Sequence, residues 1–394
     1  MRSSSETRAP WADGAHLAVL ALWAAFVAVV QRWPSWEEGV RIQFAADMDV
    51  YEVIARAAPG FPDTDVLRAY AQRFPSHWLV GVAHDATHVS LHTVYRVASI
   101  ACVALILVAL HFALTALKID VRGYALALGV VAASAYPMHY LLAAPGMLSD
   151  GVFVLGLSVL LLGFVRGSLG IALAGLAIAV LGRQSALPVA VAAAAWATFL
   201  PAWRHMRFRA AAACVLIPAA IYGVLHLASD SFSAPRPAGI DDLTVIGFMT
   251  GVRPFADHVG RVVLGVAVPV ALVAGAWLRT RGPIPWGPLG LAAVVAGQPL
   301  VLGPLANASN EPRLAGLATP ALAVAAGMLL RGAALGRAET LVCAAAIDVG
   351  GLHHRYTIAG LERNAVWASV EIAAALVVLV VLAVGRRAPR AATA

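Results

Sequence analysis

The chain has 394 residues, of which 61% are apolar and only 12% charged. A soluble domain is about 25% charged, so this chain has too little polar surface to coat a water-soluble globule; the mean hydropathy of +0.80 agrees. The net charge of +7 does not point to nucleic acid, because the arginines stand in short clusters beside apolar runs, where they orient a membrane protein.

These features predict an all-α polytopic membrane protein, a single integral membrane domain over 1–394 with about 12 transmembrane helices (11–13). In chain order the predicted spans are 14–33, 94–117, 123–144, 150–165, 168–182, 186–203, 210–228, 260–278, 284–303, 314–330, 338–350 and 364–385. No small-residue cleavage site follows the first apolar segment, Leu17 to Val30, which therefore reads as a retained anchor. With Arg2 and Arg8 placed in the cytoplasm, the following inner turns carry Lys118 and Arg122, Arg166, then Arg204, Arg207 and Arg209. They continue with Arg279 and Arg281, Arg331 and Arg337, and finally Arg386, Arg387 and Arg390. The short outer turns hold little positive charge, mainly Arg183 and Arg313. This positive-inside pattern recurs seven times and favours an even helix count, with both termini cytoplasmic.

Four outer segments are longer than simple turns: about 34–93, 229–259, 304–313 and 351–363. The first is the longest, and a long mixed-charge loop is where function is expected. Within it, Asp65 to Ala83 has apolar residues at helical spacing, interrupted at Pro75, and fits a helix lying along the membrane surface. The segment 229–259, with Pro235, Pro237, Asp241, Asp242 and Arg253, reads as an ordered loop over the outer face.

The densest acidic stretch, Asp47-Met48-Asp49-Val50-Tyr51-Glu52, follows the first span. Three carboxylates there are explained either by a solvated helix start or by a catalytic base. A divalent cation such as magnesium or manganese suits such oxygen ligands, and Asp47, Asp49 and Asp150 are the candidates to hold one. Asp47, Tyr51, Ile54 and Ala55, then Tyr70-Ala71-Gln72-Arg73-Phe74-Pro75, together with Tyr95-Arg96-Val97, form a recognisable series. Further on stand Leu148-Ser149-Asp150-Gly151, Gly182-Arg183-Gln184-Ser185, Asn310-Glu311-Pro312-Arg313 and Thr319-Pro320-Ala321. This layout resembles the GT-C class of membrane glycosyltransferases, which take sugars from polyprenyl-phosphate donors in the bacterial cell envelope. The resemblance covers most of the chain in layout, through short motifs.

The resemblance implies inverting transfer of a sugar from a polyprenyl-phosphate donor to an acceptor hydroxyl on the outer face of the inner membrane. The acceptor would be a glycan, lipid or protein. Asp47 is the implied general base, with Asp49 a second acid that leaves the assignment open. Arg183, Arg313 and Arg355 are the implied donor-phosphate ligands, since a guanidinium fork matches phosphate oxygens. Tyr51, Arg73, Asp150, Glu311, His353, His354 and Tyr356 are the expected substrate contacts.

Other features carry competing readings. His84, His88 and His92 recur every four residues, which on one helix would align them for a metal or, more simply, form a polar face. His353, His354, Arg355 and Tyr356 fit either substrate contacts or an interfacial belt. Asp348 and Glu371 lie within late apolar segments and support the alternative of a secondary transporter. Asn307-Ala308-Ser309 matches a glycosylation site only by a short pattern. Cys102, Cys214 and Cys343 all fall in apolar segments and read as packing residues.

Overall fold

The computed structural model describes residues 14–32, 41–234, 255–301, 311–352 and 364–385. Among them every regular element is helical, and the β-type contact is an isolated parallel bridge between Val66 and Ser233. Five helices are long and apolar enough to cross a membrane: Gly14–Gln31, Leu91–Ala116, Leu148–Arg166, Arg207–Asp230 and Val259–Thr280. A bent pair, Val121–Ala132 with Ala135–Ala143, makes a sixth if counted as one span. Four shorter apolar helices join them: Leu169–Gly182, Ala186–Phe199, Thr319–Leu330 and Ala368–Val384.

Helix α1 (Gly14–Phe26) runs into a π turn, Val27–Gln31. Next comes a layer of α2 (Arg41–Ala57), the short α3 (Arg68–Ala71) and α4 (Phe74–Thr87), with α2 packed on α4. Pro75, predicted to interrupt a helix, instead opens α4, because a first-turn proline loses no helical hydrogen bond and has its φ preset. The aligned histidine face predicted from sequence does not form. His88 takes a left-handed conformation (φ 57°) that ends α4, while His92 belongs to the next helix, α5 (Leu91–Ala116). Ser90 caps that helix by accepting from Thr93 N.

The span predicted over 123–144 is broken. Helix α6 (Val121–Ala132) gives way to a π turn, Ala135–His139, and α7 (Tyr140–Ala143), with a bend of 60°. Pro137 accounts for the break: it has no N–H for the Ala133 carbonyl four residues back, and its ring collides with that carbonyl. Inside a membrane the freed acceptors need partners. Gln31 supplies them, its Nε2 donating to Ala132 O at 3.2 Å and Ala133 O at 2.7 Å.

Helices α8 (Leu148–Arg166) and α9 (Leu169–Gly182) form a tight antiparallel hairpin. Gly167 closes α8 with φ +66°, a left-handed cap that only glycine adopts without strain. The two backbones then touch. A Cβ on Gly175 would fall 2.7 Å from Gly156 O and Leu160 Cα, and one on Gly182 would fall 2.6 Å from Ser149 O. Small residues permit this approach, and van der Waals contact holds it where lipid supplies no hydrophobic drive. Two effects compete in Gly175→Ala. Helix propensity favours alanine by about 1 kcal/mol, whereas overpacking against backbone costs roughly 1–3 kcal/mol. Backbone cannot yield as a side-chain tip can, so Gly175→Ala is expected to lower the thermal unfolding midpoint in detergent. Gly170→Ala, where a Cβ would meet nothing within 4 Å, is expected not to lower it.

The remaining helices are α10 (Ala186–Phe199), α11 (Arg207–Asp230), α12 (Phe255–Thr280), α13 (Trp286–Val301), α14 (Glu311–Gly316), α15 (Thr319–Leu330), α16 (Arg337–Gly351) and α17 (Asn364–Val384). Helix α12 packs on α14, α15 and α17. The bundle has two chemically different ends. At one, Arg279 bonds Glu339 at 3.0 Å and the Ala334 carbonyl, Arg122 reaches the Leu335 carbonyl, and Trp203 Nε1 donates to Gly167 O at 2.8 Å. The other end holds Asp150 and its partners.

Candidate functional site

Asp150 stands in the first turn of α8, and Arg183 caps the far end of α9. The hairpin brings these two positions, 33 apart in sequence, to the same end. Arg183 Nη1 donates to Asp150 Oδ1 in a short ion pair. Arg313, from α14, places its Nε 3.0 Å from Asp150 Oδ2. All three are buried, at 6%, 5% and 7% exposure. Both carboxylate oxygens are therefore committed to guanidiniums, and Asp150 is a poor metal ligand. Among the described residues no group of three or more His, Cys, Asp or Glu is placed to hold a metal ion.

A third guanidinium approaches from the α2–α4 layer. Arg73 Nε donates to Gln184 Oε1 at 3.3 Å, and its Nη1 to the Tyr51 hydroxyl at 3.5 Å. Arg73 acts electrostatically on both Asp150 and Arg183. Glu311, at the start of α14, is buried at 1% exposure. Among the described residues, three guanidiniums thus stand with the carboxylates of Asp150 and Glu311 in this region.

Tyr51, an expected substrate contact, is buried in a small aromatic cluster. Its ring stacks on His77 at 3.7 Å between centroids and 10° between planes, and Tyr70 meets it edge-on at 5.3 Å. His77 Nδ1 lies 3.0 Å from the Tyr95 hydroxyl, which donates to Tyr51 O at 3.4 Å. Burial, then the nearby Arg73 charge, pushes the His77 imidazole down to about 3, against an opposing pull from Asp150. The folded chain thus refuses a proton that the unfolded chain accepts below about pH 6.5. This contribution to stability is complete above that pH and is lost as pH falls towards 3. The expected slope is up to about 1.4 kcal/mol per pH unit, and His77→Phe should flatten it in unfolding measurements between pH 6.5 and 4.5.

No family model, curated protein or solved structure matches this chain. The chemistry of the site is therefore argued from its own residues.

Asp49 is exposed on α2. Asp47 lies in the same helix, with its side chain outside the described part. Its neighbour Met48 is buried against the turn that leads into α8: a Cβ on Gly146 would fall 2.7 Å from Met48 Sδ. The acidic segment thus abuts the entry to the helix that carries Asp150. His353, His354, Arg355 and Tyr356, the segment 235–254 and the Asn307 pattern lie outside the described residues.

A separate small cleft opens at the α6 break, lined among others by Ser134, Tyr136, Pro269, Gly350 and Glu371. Tyr136, in the cleft lining, has its ring centroid 5.6 Å from that of Tyr140. His77, Tyr136 and Tyr140 are not among the residues singled out from the sequence. For His77, its place one turn after Arg73, with Pro75 between them to open a helix, is a signal that could have found it.

Proposed function

We propose that this chain is a membrane glycosyltransferase of the GT-C kind, with about twelve helices and its active site on the extracytoplasmic face of the bacterial inner membrane. The observation that supports this reading is the meeting of Arg73, Arg183 and Arg313 around Asp150 at one end of an apolar bundle. A cluster of guanidiniums at the edge of a membrane suits an anionic headgroup whose tail stays among the helices. Asp150 fixes the spacing of two guanidiniums without exhausting them. Each has five N–H donors, and Arg183 Nε has no hydrogen-bond partner among the described residues.

The reaction follows from those roles. A polyprenyl-phosphate sugar enters from the outer leaflet and its phosphate binds Arg183 and Arg313, with Arg355 a further ligand on the last outer loop. The carboxylate of Asp47 takes the proton from an acceptor hydroxyl, whose oxygen attacks the anomeric carbon. The bond from that carbon to the phosphate oxygen breaks, and the lipid phosphate leaves with the electron pair, with inversion. The arginines stabilise the charge that grows on the leaving phosphate.

Purified protein given a polyprenyl-phosphate sugar should release polyprenyl phosphate when an acceptor is present. Arg183→Lys should slow this about ten- to a hundredfold, because an ammonium cannot reproduce the planar fork. Equal rates for the two proteins would remove Arg183 from the reaction.

One observation favours a transporter as the second reading: a helix broken within an apolar bundle, with Glu371 lining the cleft at the break. Solute uptake into protein-containing vesicles, abolished by Glu371→Gln and without any sugar transfer, would decide for it.

A further inference from the structure

We infer that His77 is a positioning residue for the third guanidinium, acting through Tyr51 to set where Arg73 presents its charge. The inference rests on the reading of the cluster as a lipid-phosphate site.

The geometry is closed on every side. The Tyr95 hydroxyl lies 3.4 Å from Tyr51 O and 3.0 Å from His77 Nδ1, in a hydrogen bond whose direction is set by the imidazole tautomer. Tyr95 thereby grips the Tyr51 backbone and the His77 ring at once. The His77 ring lies flat beneath the Tyr51 ring at 3.7 Å and fixes its plane. Tyr51 in turn receives Arg73 Nη1, and Arg73 Nε ends on Gln184, the residue next to Arg183. One continuous path therefore runs from α5 through α4 and α2 to the turn that carries Arg183.

His77 is 0% exposed, so it does not touch a ligand and can act only through Tyr51. Its Nε2 has no hydrogen-bond partner among the described residues. An ion-pair role is absent as well, since the imidazole stays neutral beside Arg73. Stacking and the Tyr95 bond are what this side chain contributes. A leucine removes both, while a phenylalanine keeps the stack and loses the bond.

The test is a double-mutant cycle on the full-length protein in detergent, titrated with farnesyl phosphate and, separately, with farnesol. In the wild-type background His77→Leu should weaken farnesyl phosphate binding about tenfold, the worth of a displaced charge-assisted hydrogen bond. In an Arg73→Ala background the same change should do nothing further. Farnesol binding should not move in either background. His77→Phe, the milder change, should fall between wild type and His77→Leu. Equal losses in both backgrounds, or a matching loss of farnesol binding, would mean that His77 only supports the fold, and the inference would fail. Wild-type protein that binds farnesyl phosphate no better than farnesol would overturn the lipid-phosphate reading itself, and the inference with it.

Discussion

Asp150→Asn is expected to destabilise the bundle by about 3–5 kcal/mol. The size follows from what remains after the change rather than from what the ion pair contributes. Arg183 and Arg313 are both buried and both form ion pairs with Asp150. Asparagine fills nearly the same volume but carries no charge, so two buried guanidiniums would lose their shared carboxylate in an apolar setting, with Arg73 adding to the repulsion. An exposed ion pair would show a much smaller loss, about 0–1 kcal/mol, so the magnitude discriminates. A structural partnership also predicts coupling. In an Arg183→Gln background, Asp150→Asn should cost at least about 1 kcal/mol less than it does in wild type. Denaturation in detergent, followed by tryptophan fluorescence, measures both. An Asp150→Asn protein as stable as wild type would mean that the carboxylate is not the keystone of this cluster.

How much of this was legible in the sequence depends on whether a feature is local. The apolar runs and basic turns place the long helices, because a span of hydrocarbon needs about 20 apolar residues whatever its neighbours are. Asp150, Arg183 and Arg313 stand out as charges at the rims of apolar helices, where desolvation makes an idle charge costly. That they meet each other is not local. It follows from Gly156, Gly175 and Gly182, which let two backbones touch so that the ends of the hairpin coincide, and no single-residue pattern announces that approach. The same distinction explains the misses. A four-residue histidine spacing aligns side chains only while the helix continues, and His88 ends it. Pro137 is visible in the sequence, but membrane helices often tolerate proline, so the break at Ala133 depended on Gln31 being near enough to satisfy the freed carbonyls. The burial of Tyr51 was not legible either, since it comes from α4 folding back over α2.

Asp47→Asn is expected to reduce sugar transfer by about 10²- to 10⁴-fold, the usual worth of a positioned general base, whereas Asp49→Asn should leave the rate within about threefold of wild type, within the ±0.5 kcal/mol usual for surface changes. The resemblance favours Asp47 with Asp49 as a second candidate, and helical register supports the same choice. Met48, Tyr51, Ile54 and Ala55 are the buried positions of α2, while Asp49, Val53 and Arg56 are exposed. Position 47 lies one turn before Tyr51, so the helix sets these two positions on the same side, and Tyr51 is the residue that receives Arg73. Asp49 lies on the outer side, away from the guanidiniums. An acid that activates an acceptor must stand within reach of the anomeric carbon, and that carbon is tied to the phosphate the arginines hold. The proper comparison is initial rate at saturating donor, because a base lost from the reacting centre lowers kcat with little change in KM. An equal loss from both substitutions would point to the charge of the whole acidic segment rather than to one base. A loss confined to Asp49→Asn would reverse the assignment and require α2 to turn its other side to the substrate.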